Sequence, residues 1–323
     1  MFVEPPIFEV NDVRQLLDGL GVVVEAPPRP WAGDDVLALL LWQPLTKEDM
    51  DRLPALKAVV TGSIGFDHID LEEARRRQIW VCNTPDYCVD EVADTAIAML
   101  LSLARGVTIL DRAVRDGKWD DHAAGLLPRI ADLKLGIIGF GRIGRAVARR
   151  ALSLGIEAWA TDPLVPPGAM SAAGVKPATM EELLPTSTAV TLHLPFTPDR
   201  VHLIGKQQLS LMPRGSYLVN TARGQLVDTS AVLEALDDGR LAGAALDVLE
   251  IEPPSASQPA PRHPRLIVMP HAAWLSPNSE REAVRRAALA LRGLLEGQDP
   301  PGVVVSGAHF RQRSQRQTSP LTN

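Results

Sequence analysis

Short apolar runs alternate with amphipathic segments along most of the chain. Runs of strand length occupy residues 22–24, 36–42, 56–61, 80–82, 133–138 and 156–160, and others lie near 188–194, 216–220, 242–248 and 265–269. Between them apolar residues recur at three- and four-residue spacing, which predicts helices over 13–20, 46–52, 71–77, 142–154, 180–184, 205–212 and 228–239. Thr46 and Asp70 stand where an N-cap is needed, and Glu48 and Asp49 suit the positive end of the helix that follows Thr46. Strands that alternate with helices predict an α/β fold of parallel sheets covered on both faces.

Two helical stretches are longer than an ordinary crossover. Residues 89–118, interrupted near Gly106, read as a bridge from one domain to another. Residues 276–296 carry Ala283, Ala287, Leu291 and Leu294 at helical spacing and read as a helix returning to the first domain. Residues 302–323 lose periodicity, gain Arg, Gln and Ser and contain no acid, which predicts a disordered tail.

Composition narrows the class. A chain of 323 residues can hold two cores. A net charge of −6 gives no reason to expect nucleic acid or an anionic membrane as partner. The start, MFVEPPIFEV, has two acids, two prolines and no basic segment, so no secretory signal is expected, and the apolar runs fall short of a membrane span. Cys82 and Cys88 are too few for a disulfide framework, and no Cys/His cluster has metal-ligand spacing, so no metal is expected. A cytoplasmic protein is the expectation.

The most informative stretch follows the strand at 133–138. It reads Gly139-Phe140-Gly141-Arg142-Ile143-Gly144, opens a helix that Gly155 ends, and is followed by a strand finishing at Asp162. Gly139 permits the tight turn, Gly141 lets a pyrophosphate approach the backbone, and Gly144 lets helix and strand pack closely. The helix N-terminus, with Arg142 and Ile143 in its first turn, offers unpaired N–H groups and positive dipole to phosphates. Asp162, eighteen residues past Gly144, can accept from both hydroxyls of an adenosine ribose, and no Arg or Lys follows it closely to compensate a 2′-phosphate. This strand–turn–helix context with its distant acid is what the dinucleotide motif requires, and it favours NAD(H) over NADP.

Hydride-transfer chemistry also needs a cation to hold the substrate, a proton donor or acceptor and a group to tune that donor. Arg223, in LVNTARGQLV, lies just past a strand end, where its fork can grip a carboxylate; a surface arginine in a turn is the plain alternative. His271 also follows a strand. Glu252, in ALDVLEIEPP, could bond the far nitrogen of His271, orient the ring and keep a proton on it, and Glu250 is its neighbouring competitor. Asp247 could bond a nicotinamide carboxamide or simply end its strand. His193, in LHLP, could line the cofactor crevice, whereas His68, His122, His202, His263 and His309 read as surface residues. The turn Ser63-Ile64-Gly65 could present backbone N–H groups to a substrate carboxylate or be an ordinary turn. Trp42 and Trp274 each stand near a strand end and could wall a pocket, although core packing suits Trp42 equally.

The stretches GSIGFDHID (62–70), VADTAIAMLLSLAR, GIIGFGRIG, LVNTARGQLVD, GAALDVLEIEPP and MPHAAW occur in an order and spacing that resembles the D-isomer-specific 2-hydroxyacid dehydrogenases over roughly residues 35–305. Within that family the pattern is similar to the carboxy-terminal-binding protein and phosphoglycerate dehydrogenase-like branch. The resemblance implies two doubly wound domains: a flavodoxin-like substrate domain from 1–106 and 271–301, and a Rossmann NAD domain at 107–270. It implies Arg223, Glu252 and His271 as the catalytic set. The Gly-rich turn, Asp162, the loop around Pro195, Thr221, Ala222 and Asp247 become cofactor contacts, with the amides of Ser63, Ile64 and Gly65 on the substrate. It also implies a homodimer joined through the NAD domains.

The expected activity is NAD(H)-dependent reduction of a 2-oxoacid, or the reverse oxidation, with His271 as acid and base and with Trp274 favouring a bulky or apolar substrate. An NAD(H)-responsive corepressor-like protein, or a dehydrogenase of another small oxyanion such as formate or phosphite, are the alternatives. Thr61 and Ile64 stand where the carboxy-terminal-binding proteins carry Arg and Ser, so an additional substrate anchor of that branch is missing.

Overall fold

The computed structural model describes residues 1–4 and 10–308. Its strands are β1 Phe2–Val3, β2 Val24–Glu25, β3 Ala38–Leu41, β4 Ala58–Thr61, β5 Trp80–Cys82, β6 Lys134–Ile138, β7 Glu157–Thr161, β8 Lys176–Pro177, β9 Ala189–Leu192, β10 Ser216–Asn220, β11 Leu241–Leu246, β12 Leu266–Val268 and β13 Val303–Val305. The helices are α1 Val10–Leu16, α2 Lys47–Asp51, α3 Leu71–Arg76, α4 Val89–Ala104, α5 Val107–Arg115, α6 Arg142–Ser153, α7 Pro167–Ala172, α8 Met180–Thr186, α9 Lys206–Leu211, α10 Thr229–Asp237 and α11 Pro277–Leu295. They fall into two units: Met1–Tyr87 with the chain from Pro277 onward, and Cys88–Ser276.

In the smaller unit the sheet order is β13-β5-β4-β3-β1-β2. The five strands before β13 pair in parallel in the flavodoxin-like order, and β13 lies antiparallel on β5. Successive residues of β3 face opposite sides, and both sides are buried. Leu40 packs with Val13, Leu17, Ala287 and Leu291 from α1 and α11, whereas Leu39 and Leu41 pack with Met50, Leu53 and Ile79. The helix at 47–51 starts where expected: Thr46 and Asp49 form a reciprocal capping box, and Asp70 caps α3 through the Glu73 amide.

The larger unit has a seven-stranded sheet, β12-β11-β10-β9-β6-β7-β8, with every adjacent pair parallel. Ala93, Ile97 and Leu100 of α4 and Val147 and Ala151 of α6 cover one face. Leu183, Leu209, Val232 and Leu236 cover the other. The strand order reverses between β6 and β9, the switch point at which doubly wound sheets bind ligands.

The structure moves three expected boundaries. The stretch 89–118 is not a bridge: α4 packs its apolar face on α6 and joins the core of the larger unit. The break therefore falls after Tyr87 and not after residue 106. At the other end, Thr95 Oγ1 donates to Ala273 O at 3.2 Å and Ser276 Oγ to Glu91 Oε1 at 2.7 Å, so residues 271–276 belong to the larger unit. Residues 302–308 are not a disordered tail either. Val303 and Val305 pair with Cys82 and Val81, and Trp80 Nε1 donates to Ala308 O at 3.1 Å. The rest of that expectation, with His309, lies outside the described residues.

Candidate active site

The glycine turn sits at the switch point. After β6 the chain turns at Gly139, whose φ of 94° no residue with a side chain adopts comfortably. A Cβ there would stand 2.5 Å from His193 O, on the loop leaving β9. A Cβ on Gly144 would stand 2.1 Å from Gly139 O, so α6 can lie this close to its strand only with glycine. Gly141 is different: nothing lies within 4 Å of where its Cβ would be, and the space above the turn is open. The first amides of α6, from Arg142 to Gly144, have no intrahelical acceptor and face that end. Asp162 follows β7, and its Oδ2 accepts from Phe140 N at 2.8 Å and its Oδ1 from Leu164 N at 2.9 Å. Those bonds fix the carboxylate beside the turn and leave each oxygen a further lone pair.

Two buried polar atoms near the crevice, His193 Nδ1 and Thr221 Oγ1, lack a partner among the described residues. They follow β9 and β10, which are neighbours in the sheet. Buried polar atoms are nearly always satisfied, so such a pair marks a place for a polar ligand. Burial pushes the His193 imidazole down to about 3, which makes it a neutral group, and its Nε2 is bonded to Thr191 Oγ1 at 2.9 Å. Open space over Gly141, free helix amides and these two atoms fit a dinucleotide. The Ala222 N–H donates to Asn220 Oδ1 at 3.0 Å and its carbonyl accepts from Arg223 Nη1 at 2.7 Å. Pro195 is exposed, and its carbonyl accepts from Arg200 Nη1 at 3.1 Å.

Arg223 leaves β10 into a single turn of 3₁₀ helix, Gly224–Leu226. A Cβ on Gly224 would lie 1.9 Å from Leu249 C, so this turn packs directly on the segment that carries Glu252. Glu252 Oε1 accepts from Leu249 N at 2.6 Å, and its Oε2 lies 2.7 Å from His271 Nδ1. Glu250, the competitor, is occupied elsewhere: Oε2 bonds His202 Nε2 at 2.8 Å and Oε1 accepts from Thr229 N at 3.1 Å. His271 is 46% exposed at its side chain, and its Nε2 has no protein partner among the described residues. Its backbone is left-handed, with φ 54°, a conformation that costs a β-carbon residue energy and is held here by its neighbours. His271 N donates to Asp247 O at 2.7 Å, and the amides of Ala272 and Ala273 donate to the Asp247 carboxylate at 2.8 and 3.0 Å. Asp247 therefore holds the histidine loop.

Burial works to raise the Glu252 carboxyl, but the His271 bond, the Leu249 amide and the charges of His271 and Arg223 hold it below the usual carboxylate value. At Asp247 burial prevails over the two amides and raises it. A depressed Glu252 contributes stability that is complete above its ordinary value near 4.5 and is lost as pH falls through the lower folded-state value. Glu252→Gln should accordingly reduce the drop in melting temperature between about pH 5 and about pH 3. Equal drops in both proteins would contradict the pairing.

Of the other expected residues, Trp274 is half-buried in the larger unit, and Trp42 is half-buried in the smaller unit, edge-on to Tyr87. Ser63, Ile64 and Gly65 follow β4, but the Ser63 amide is turned inward toward Thr61 Oγ1 at 3.4 Å. The Ile64 and Gly65 amides have no partner among the described residues. Two of the supposed surface histidines are more enclosed: His68 Nε2 lies 3.2 Å from the fully buried Thr61 hydroxyl, and the His263 side chain is only 13% exposed. Asn83 and Thr84, just after β5, hold the 63–65 turn and are not among the residues expected at the site. The Asn-Thr pair directly after the 80–82 strand was the available signal.

Residues 97–273, more than half of the chain, match the D-isomer specific 2-hydroxyacid dehydrogenase, NAD binding domain. The chain belongs to that family. It is 38% identical over 273 residues to a glyoxylate reductase of Korarchaeum cryptofilum, covering 84% of this chain and 82% of that one. Against a glyoxylate reductase of Thermococcus litoralis the identity is 35%, over 84% and 83%. The crystal structure of a D-lactate dehydrogenase from Aquifex aeolicus, complexed with NAD and lactic acid, matches with TM-score 0.85 and 27% identity, over 95% of this chain and 100% of that one. The protein is an NAD-dependent oxidoreductase acting on the CH–OH group of D-2-hydroxyacids or on the corresponding 2-oxoacids.

Proposed function

We propose that this family member works as a reductase of a small 2-oxoacid, with Arg223, Glu252 and His271 as its catalytic residues. The observation that carries the reading is the His271–Glu252 pair, with Nδ1 held at 2.7 Å and Nε2 left open on an accessible ring. Glu252 fixes the ring orientation through Nδ1, so that a proton carried on Nε2 is aimed at the oxygen of a carbonyl being reduced. Arg223 offers its fork to the carboxylate and the adjacent carbonyl oxygen. The Gly139–Gly144 turn, Asp162, His193 and Thr221 would hold NADH, which would supply the hydride when bound. In the reverse direction His271 Nε2 takes the proton from the hydroxyl.

In the smaller unit the outward amides of Ile64 and Gly65 are assigned to a substrate carboxylate. The relatives named glyoxylate reductase support a small substrate in place of the bulky or apolar one expected from Trp274, which is half-buried in the larger unit. A homodimer through the larger unit is part of the reading. It is supported by the exposed apolar residues Val107 and Val114 on α5, with Trp119 93% and Leu126 92% exposed just after it. A cytoplasmic location is part of the reading too: Cys82 and Cys88 are both buried and neither is in a disulfide.

The test is NADH oxidation, followed by absorbance, with glyoxylate, hydroxypyruvate, phenylpyruvate and 4-methylthio-2-oxobutyrate. One or more should turn over, glyoxylate and hydroxypyruvate fastest. Tight NADH binding with no turnover of any 2-oxoacid would defeat the proposal.

A further inference from the structure

The turn after β4 is restrained in an unusual way. Three successive carbonyls are each held by a donor from the protein. Ser63 O accepts from Thr84 N at 3.0 Å, Ile64 O from Asn83 Nδ2 at 2.6 Å, and Gly65 O from Ser63 Oγ at 2.5 Å. In a trans peptide the carbonyl and the following N–H point in opposite directions. Holding Ser63 O and Ile64 O therefore aims the Ile64 and Gly65 amides the other way, and holding Gly65 O does the same for Phe66. None of these three amides has an acceptor among the described residues.

Behind the turn lies a directional chain of hydroxyls. Ser63 spends its one proton on Gly65 O, so in its 2.7 Å contact with Thr61 Oγ1 the threonine donates. Thr61, fully buried, must then accept from His68 Nε2 at 3.2 Å, which places a proton on that nitrogen. Asn83 is itself fixed from the far end of the chain. Its N–H donates to Gly302 O at 2.9 Å, and a Cβ on Gly302 would lie 2.3 Å from Asn83 O. The segment that includes β13 thus locks the residue that holds the turn.

We propose that Asn83 and Thr61 are positioning residues for carboxylate recognition. Asn83 aims the Gly65 amide, and Thr61 keeps the Ser63 hydroxyl on Gly65 O, so that neighbouring amides converge on one anion. The inference rests on the reading that this turn binds the substrate carboxylate. Because the turn would hold the carboxylate equally before and during reaction, its loss should appear in KM and not in kcat.

Asn83→Ala is expected to raise KM for the best 2-oxoacid about tenfold, the effect of one lost hydrogen bond, with kcat changed by less than about threefold. Thr61→Val, nearly isosteric, should raise KM in the same direction, and Thr61→Ser should restore it. NADH affinity, measured by fluorescence titration, should not change in any of them. An unchanged KM in Asn83→Ala and Thr61→Val would overturn the inference while leaving the reductase reading intact. A parallel loss of NADH affinity, or of kcat, would also overturn it, by assigning these residues to the fold. An unmodified protein inactive on every 2-oxoacid would instead overturn the functional reading, and the inference with it.

Discussion

Replacing His271 by Asn is expected to lower turnover about 10²- to 10⁴-fold, the usual contribution of a positioned acid–base group, with little change in NADH affinity. Asparagine is the informative substitute because of the backbone. His271 has φ 54°, and asparagine tolerates the left-handed region better than alanine does. The bonds from His271 N to Asp247 O and from the next two amides to the Asp247 carboxylate do not involve the ring and should survive. The change then removes the imidazole and its bond to Glu252 while leaving the backbone bonds of the loop in place. Steady-state rates and NADH titration separate the outcomes: if NADH binding falls in step with turnover, the histidine serves the loop and not the chemistry.

Gly144→Ala should cost about 1–3 kcal/mol or more of stability, the range for overpacking a tight contact, because a Cβ would stand 2.1 Å from Gly139 O. Backbone on both sides leaves no flexible side chain to yield, so α6 must move off β6. At about 2–4 °C per kcal/mol for a unit of this size, the melting temperature should fall by several degrees. Gly141→Ala is the contrasting change. Nothing lies within 4 Å of its Cβ, so the fold should stand, yet the methyl enters the space through which a pyrophosphate approaches the backbone. Differential scanning calorimetry with NADH titration checks both. A Gly141→Ala protein that binds NADH normally would remove the turn from the cofactor site.

Much of the site was legible in the chain because its determinants are local. A glycine turn between a strand and a helix, with an acid at the end of the next strand, can be read within thirty residues, and the structure places Gly139, Gly141, Gly144 and Asp162 as that spacing required. The caps at Thr46 and Asp70 are similarly short-range. Strand-end positions brought Arg223 and His271 forward as candidates.

What only the tertiary structure decided are choices between equivalent local readings. Glu250 and Glu252 lie two residues apart in one turn, and which of them meets His271 depends on His202 and Thr229, which draw Glu250 away. Helical periodicity shows that α4 buries a face but not against which sheet, so the domain boundary could not be placed from it. Three valines after Gly302 are too short a pattern to read as a strand, and they become one only because β5 offers its edge. By itself the sequence determined the dinucleotide turn, the alternating architecture and the candidate acid–base residues. The long-range partners that orient those residues, Asp247 under the histidine loop and Asn83 behind the 63–65 turn, come from packing between segments far apart in the chain.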